Sequence, residues 1–202
     1  MHPNSLLVFD KFALPLFRPG HRVLEIGPDG TPSTLQARVG AGDRSIQWET
    51  LDIDEAPPGA PKPTFLAHDP YTFPLADGLF DVVLSANVIE HVPKVWRWVP
   101  ELARVCKPGG RVITIAPVSW PYHEAPQDCW RIYPAGMEAL YQDAGLRVET
   151  SYWGSLEFPG YQHRVPGAAG TWGPRGKLKR AARRLLGLPV VCAFDTVVVG
   201  VK

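Results

Sequence analysis

The stretch Val23-Leu24-Glu25-Ile26-Gly27-Pro28-Asp29-Gly30 decides the fold class. A short apolar run ends in a glycine turn, and Ser33–Val39 behind it has the spacing of a short helix, with Ser33 or Thr34 near its cap. Strand, glycine turn and helix in that order open a parallel α/β sheet, whose ligands bind at the carboxyl ends of the strands. Gly27 has no Cβ, so a ligand can approach the backbone closely there. The turn departs from the dinucleotide pattern GxGxxG, because Asp29 stands at the second glycine position. A carboxylate there repels a pyrophosphate set on the helix N-terminus. A nucleoside without phosphates therefore suits the turn better than a nicotinamide dinucleotide. A tight turn with no ligand is the plainer alternative for this stretch alone.

Outward from the turn, strands alternate with helices. The patterning predicts strands at His21–Ile26, Ile46–Ile53, Thr64–Ala67, Phe80–Ser85, Arg111–Ala116, Leu146–Trp153 and Val190–Val201. Ala56–Pro63 is a proline-rich loop. Lys94–Cys106 has helical spacing, with Val95, Trp98, Leu102 and Val105 on one face and Pro108-Gly109-Gly110 as its stop. Pro134–Ala144 is a second helix, with Met137, Leu140 and Tyr141 on one face and Gly145 as its C-cap. Such alternation implies a Rossmann-like α/β fold, a mostly parallel sheet with helices on both faces. A closing antiparallel pair is expected at the sheet edge.

Composition agrees with one folded unit. At ~150 residues per domain, 202 residues make a single domain, with 1–19 as an N-terminal helical segment and 154–189 as an insertion before the last strand. Hydrophobic residues are 45% and charged residues 20%, ordinary for a globular chain. No apolar run reaches the ~18–20 residues of a membrane span. The net charge of +1 gives no global field that would call for nucleic acid. Three widely spaced cysteines, with no CxxC, argue against a disulfide framework and a structural zinc site. The start Met-His-Pro-Asn-Ser has no leader pattern, so a cytoplasmic location is expected.

The charge is uneven. Residues 1–100 hold 8 basic and 12 acidic groups, and 101–202 hold 13 and 8. Between Glu157 and Asp195 there is no acid, while Arg175, Lys177, Lys179, Arg180, Arg183 and Arg184 form a basic helix with Leu178, Ala181, Ala182, Leu185 and Leu186 at helical spacing. A solvated face over a core stripe is expected there. Contact with a membrane surface or a phosphorylated carrier is the alternative, without stable insertion.

The second strand ends in Leu51-Asp52-Ile53-Asp54, an acid some 25 residues after the glycine turn and at a neighbouring strand end. Such an acid is placed to accept hydrogen bonds from ribose hydroxyls. Asp52 is preferred to Asp54 because it alternates with Leu51 and Ile53.

Glu25-Ile26-Gly27-Pro28, Leu51-Asp52, His68-Asp69, Phe80–Val92 (FDVVLSANVIEHV) and Glu101–Pro117 (ELARVCKPGGRVITIAP) follow one another in order. From about residue 20 to 150 the chain resembles the S-adenosylmethionine-dependent class I methyltransferases, type 11 branch. The resemblance implies a seven-stranded sheet with the last strand antiparallel, and S-adenosyl-L-methionine as cofactor. By position it implies that Gly27, Pro28 and Glu25 form the cofactor turn, with Glu25 near the methionine amino group or bracing the loop. Asp52 and Ile53 would meet the ribose, Asp69 the adenine amino group with Pro70 and Tyr71 nearby, and Asn87 the methionine end. Asp29 departs from the glycine many relatives carry. Tyr122–Arg131 also resembles the H-x-x-P-x-D-x-x-R stretch of many bacterial type 11 enzymes. Some of these act in saccharide or natural-product pathways, which tilts the acceptor toward a sugar or natural product.

Methyl transfer from a sulfonium is an in-line displacement, and orientation alone is worth ~7–11 kcal/mol in well-ordered models. A hydroxyl acceptor also needs a base, and His123 and His91 are the candidates, because imidazole is the side chain suited to proton transfer near neutral pH. His123 is the first candidate, since it follows the fifth strand in a loop with Trp120, Tyr122 and Trp130. Hydrogen bonding to Asp128 or Arg131 as a loop brace is its alternative. Tyr122, Glu124, Asp128, Trp130 and Arg131 are the candidate acceptor contacts, although an Asp128–Arg131 pair within the loop is the plainer expectation. A metal on His123, Glu124 and Asp128 is weighed and set aside, because Pro126 keeps them off one helical face. Trp120, Tyr122, Trp130, Trp153, Phe158, Tyr161 and Trp172 are expected to wall an acceptor pocket under a lid at 154–173.

Three other functions compete. An NAD(P)-dependent oxidoreductase lacks its fingerprint here. A non-catalytic binder of S-adenosylmethionine would keep the cofactor pocket without turnover. A nucleic-acid methylase would need a target-recognition domain or an Asp/Asn-Pro-Pro-Tyr motif, and neither is present.

Overall fold

The computed structural model describes residues 1–40, 45–53, 62–124, 127–168 and 174–202. The chain opens with helix α1 (Pro3–Val8), continued by single turns to Leu16. Then follow β1 (Arg22–Ile26), α2 (Thr34–Gly40), β2 (Gln47–Asp52), β3 (Phe65–Leu66), β4 (Phe80–Ala86), α3 (Val95–Val105), β5 (Cys106–Pro117), α4 (Pro134–Asp143) and β6 (Arg147–Gly154). β7 (Arg164–Pro166), α5 (Pro174–Leu185), β8 (Val190–Cys192) and β9 (Asp195–Val201) complete it. Seven strands form one sheet in the order β3-β2-β1-β4-β5-β9-β6, with β7 and β8 in a separate parallel pair. All pairings from β3 to β5 are parallel, and β9 runs antiparallel to both of its neighbours.

Alternation along the strands builds two cores. Leu24, Ile26, Val83, Val112 and Val198 face α3 and α4, meeting Trp98, Leu102, Met137 and Tyr141. Val23, Val82, Leu84, Ile113 and Val197 face the other way, onto Val8 and Phe9 of the N-terminal segment and Leu35 and Val39 of α2. Period-2 strands clamped between period-3.6 helices require this division.

The closing antiparallel pair lies at the sheet edge as expected, with β9 between β5 and β6 and β6 outermost. Three expectations need correction. The expected strand Val190–Val201 breaks at Ala193-Phe194, because the Phe194 amide is taken by Ser119 Oγ at 2.8 Å and the Ala193 amide by Glu157 at 3.2 Å. Pro108-Gly109-Gly110 lies inside β5 rather than before it. The pairing with β4 shifts there, and a Cβ on Gly110 would meet the carbonyl oxygens of Asp81 and Lys107, each at 2.9 Å. The leucine stripe of α5 is not core: Leu178, Leu185 and Leu186 are 72%, 88% and 70% exposed. Asp54, Pro126, Trp172 and most of the proline-rich loop lie outside the described residues.

Candidate cofactor and acceptor site

A cavity of about 350 Å³ opens at the carboxyl ends of β1, β2 and β4, the place where open α/β sheets bind ligands. Gly27, Pro28, Asp52, Ile53, Pro70, Asn87, Val88, His91 and Gln127 line it. Gly27 has φ +65, and its amide donates to the Leu51 carbonyl at 2.9 Å. A Cβ there would stand 2.7 Å from Val88 Cγ2, so the turn needs glycine both for its conformation and for its neighbour. Beneath the turn, Glu25 is buried and one of its oxygens accepts from Ser33 Oγ at 2.5 Å and Trp48 Nε1 at 2.9 Å. Burial pushes its carboxyl up to about 7, against the pull of those two hydrogen bonds. Ser33 also caps α2 by accepting from the Gln36 amide. Asp29 accepts from the Thr34 amide at 2.8 Å, so a carboxylate already occupies the helix start that a dinucleotide pyrophosphate would use.

Asn87 follows β4 with φ +56, a conformation asparagine tolerates. Its Oδ1 is buried without a hydrogen-bond partner among the described residues. The same side chain lines a second cavity of about 260 Å³, together with Met1, His2, Glu90, Pro117, Trp120 and His123. Trp120 in turn borders a third, of about 330 Å³, with Tyr122, Asp128, Cys129, Trp130 and Arg131. The three form a file: first cavity, Asn87, second cavity, Trp120, third cavity.

Between the first two cavities lie Glu90, His91 and His123, whose donor atoms fall within 4.8 Å of one another. Glu90 is 1% exposed, and neither of its carboxylate oxygens has a hydrogen-bond partner among the described residues. The His91 and His123 rings meet edge to face at 4.9 Å. On the far wall His2 stacks on Trp120 at 4.7 Å and places Nε2 3.1 Å from Asp195 Oδ1, while its Nδ1 is buried without a partner among the described residues. Asn4 fixes the same carboxylate by donating to Asp195 Oδ2 at 2.6 Å. The N-terminal segment thus closes the second cavity.

Residues 37–114 match the model of a family described as methyltransferase domain. An uncharacterized methyltransferase of Mycobacteroides abscessus is 36% identical over 100 residues, 46% of this chain and 39% of that protein. A structure of an S-adenosylmethionine-dependent methyltransferase from Archaeoglobus fulgidus superposes with a TM-score of 0.63 at 15% identity, over 98% of this chain and 94% of that one. The strand order and the sequence match agree. The chain has the fold of these methyltransferases, and its match to the family model is confined to residues 37–114. A Haemonchus contortus phosphoethanolamine N-methyltransferase 2, solved in complex with S-adenosyl-L-methionine, superposes with a TM-score of 0.56 at 12% identity, covering 98% of this chain and 52% of that one. The chain spans less than half the length of the curated relatives it matches. None of its helices, among the described residues, is long and apolar enough to cross a membrane.

On this methyltransferase fold the expected residues separate. Gly27, Pro28, Asp52, Ile53, Pro70 and Asn87 converge on the first cavity. Asp69 does not line it: its carboxylate accepts from the Tyr71 amide at 2.9 Å and Thr72 Oγ1 at 3.1 Å, holding the turn that presents Pro70. Glu25 lies under the cavity and has the geometry of a brace. Asp128 pairs with Arg131 through two contacts of 2.5 and 2.6 Å, and the guanidinium holds its carboxyl down at about 2. Glu124 accepts from the Tyr122 hydroxyl at 2.7 Å. The metal trio weighed on sequence, His123, Glu124 and Asp128, therefore does not form; Glu90 and His91 join His123 instead. The aromatic wall shrinks to Trp120, Tyr122 and Trp130. Trp153 packs on Tyr133 and Phe194, Phe158 lies under Arg180 and Arg184, and Tyr161 binds the Leu188 carbonyl. No described residue of 154–189 lines these cavities, so the lid expected there has no wall in them.

Sequence reasoning missed the depth of Glu90 and missed His2 altogether. Glu90 had a visible signal, an acid next to a histidine inside FDVVLSANVIEHV. His2 had none, since its place depends on the 192 intervening residues returning Asp195 to it.

Proposed function

We propose that the chain transfers the methyl group of S-adenosyl-L-methionine to a hydroxyl of a small acceptor, a sugar or other natural product. The supporting observation is Asn87, one side chain shared by two cavities, with a buried carbonyl oxygen that lacks a partner. The cofactor occupies the first cavity. Asp52 accepts from the ribose hydroxyls, Ile53 and Pro70 pack on the adenine, and Gly27 and Pro28 admit the backbone-close methionine half. Asn87 Oδ1 accepts from the methionine end and directs the methyl group into the second cavity. Glu25 and Asp69 act as braces of the two loops that shape this cavity.

The acceptor lies in the second and third cavities, with Trp120, Tyr122 and Trp130 as stacking faces. As its oxygen attacks the methyl carbon, the carbon–sulfur pair stays on sulfur and the hydroxyl proton leaves to an imidazole. His123 is the assigned base, with His91 beside it and the His2–Asp195 pair across the cavity. Asp29 on the helix start weighs against a dinucleotide and hence against the oxidoreductase alternative.

The test is calorimetric binding of S-adenosylhomocysteine, followed by mass spectrometry of hydroxylated acceptors incubated with S-adenosyl-L-methionine carrying a deuterated methyl group. Binding plus a mass gain on an oxygen supports the assignment. Binding with no transfer to any acceptor leaves a cofactor-binding protein, and no binding at all removes the cofactor assignment.

A further inference from the structure

We propose that Glu90, His91 and His123 hold a first-row divalent cation of the Zn²⁺, Mn²⁺ or Co²⁺ kind between the cofactor and acceptor cavities. The donor set is two imidazoles and one carboxylate, a combination that suits these ions and leaves coordination positions open for oxygen ligands. Three independent features point to it. The donor atoms already lie within 4.8 Å of one another, and His91 Nε2 is 3.9 Å from Glu90 Oε1. Bonds of roughly 2.0–2.2 Å to a shared ion need them about 3–4 Å apart, a closure that small side-chain rotations supply.

The second feature is the tautomers. His91 Nδ1 lies 2.6 Å from the Gln127 carbonyl oxygen, and His123 Nδ1 lies 3.1 Å from the Pro121 carbonyl oxygen. A carbonyl oxygen can only accept, so Nδ1 carries the proton in both rings and Nε2 carries the lone pair. An outer carbonyl that fixes the ring and leaves the other nitrogen free is the usual support of a metal-ligating histidine. The third feature is Glu90, a buried carboxyl group with no hydrogen-bond partner on either oxygen among the described residues. A buried polar group without a partner is costly, and a cation supplies one.

The cation's place rests on the geometry alone. Its role rests on the function proposed above: a cation there would bind the acceptor hydroxyl and ease its ionisation. In the cation-loaded protein His123 would be a ligand in place of the base assigned above, and the hydroxyl proton would pass to His2, which lines the same cavity.

The test titrates chelator-treated, full-length protein with Co²⁺, reading visible d–d absorption, and with Zn²⁺ and Mn²⁺ by calorimetry. S-adenosylhomocysteine binding is measured on the same samples. One cation per chain is expected, and Glu90→Gln and His123→Ala should each weaken it by ~10–100-fold or more while circular dichroism stays native. Should either variant unfold, His91→Gln, at a ring 15% exposed, serves in its place. No cation binding, or binding that survives all three substitutions, overturns the proposal. Failure of S-adenosylhomocysteine to bind while the cation still does would remove only the cofactor assignment.

A different observation carries a second surface. α5 is turned inside out. Its charged side docks on the protein, with Arg180 3.3 Å from Glu157 and Arg183 donating to the Pro189 carbonyl. Its leucines Leu178, Leu185 and Leu186 face solvent, flanked by exposed Arg175, Lys177, Lys179 and Arg184 with no acid nearby in the sequence. We infer that this face lies on an anionic lipid surface, leucines toward the acyl boundary and cations toward the headgroups. A second copy would bring the same positive field and is disfavoured. Co-sedimentation with vesicles of phosphatidylglycerol and phosphatidylcholine should capture the protein, and pure phosphatidylcholine should not. Leu185→Ser with Leu186→Ser should cut capture ~10-fold or more. Equal capture by both vesicle types, no loss in the leucine variant, or a leucine-dependent dimer in light scattering without vesicles overturns it.

Discussion

Gly27→Ala probes the closest approach in the cofactor turn. Two separable costs follow from the structure. The first is backbone: φ is +65, and a side chain in that region costs about 1–2 kcal/mol. The second is contact: the new methyl would stand 2.7 Å from Val88 Cγ2, so Val88 must move, and Val88 lines the cofactor cavity. The expected stability loss is about 1–3 kcal/mol, or roughly 2–12 °C in Tm at about 2–4 °C per kcal/mol for a chain of this size. S-adenosylhomocysteine affinity should fall about tenfold or more, because the displaced valine enters the ligand's space. Adding Val88→Ala removes the contact and leaves the backbone cost. The double variant should therefore recover binding while Tm recovers only in part, with a coupling of about 0.5–3 kcal/mol. Calorimetry and thermal melts on the four proteins check this. Gly27→Ala with native affinity and native Tm, or a double variant no better than the sum of the two, would refute the close-approach account.

Other outcomes are equally open to measurement. Asp52→Ala should weaken S-adenosylhomocysteine by about 1.5–3 kcal/mol, the scale of hydrogen bonds to a charged group, and unchanged calorimetry would take Asp52 out of the ribose role. Glu25 is held up at about 7 by burial, above its ordinary 4.5. The folded state thus binds the proton more tightly than the unfolded chain, and stability should fall as pH rises from about 4.5 to 7 and then level off. Glu25→Gln keeps one oxygen for Ser33 and Trp48, so urea denaturation from pH 5 to 8 should show a flatter profile, shallower by about 3 kcal/mol at most. Asp128 moves the other way: its carboxyl is held down at about 2 by Arg131. The loop contribution is present above pH about 4 and lost as pH falls toward about 2. Trp130 fluorescence should report that acid transition in the native protein and not in Asp128→Asn.

The chain carries its sheet and its first cavity in local patterns. Arg22–Ile26 and Phe80–Ala86 are strands because short, largely apolar runs are bounded by turn formers, and that logic needs no distant partner. Gly27, Asp52 and Asn87 were legible because strand ends fall side by side once the sheet is parallel. Tertiary structure alone decided what lies across the cavity. Asp69 looks like a ligand in sequence and is held by its own turn, since a short acid bonds first to amides two residues on. α5 has the spacing of a buried stripe, but periodicity says only that two faces differ, not which one the protein covers. His2, Glu90, His91 and His123 meet because α1, the turn after β4 and the loop after β5 end at one corner of the sheet. Sequence order holds no measure of that distance: side-chain clusters are set by how layers pack, and packing is a property of the whole chain.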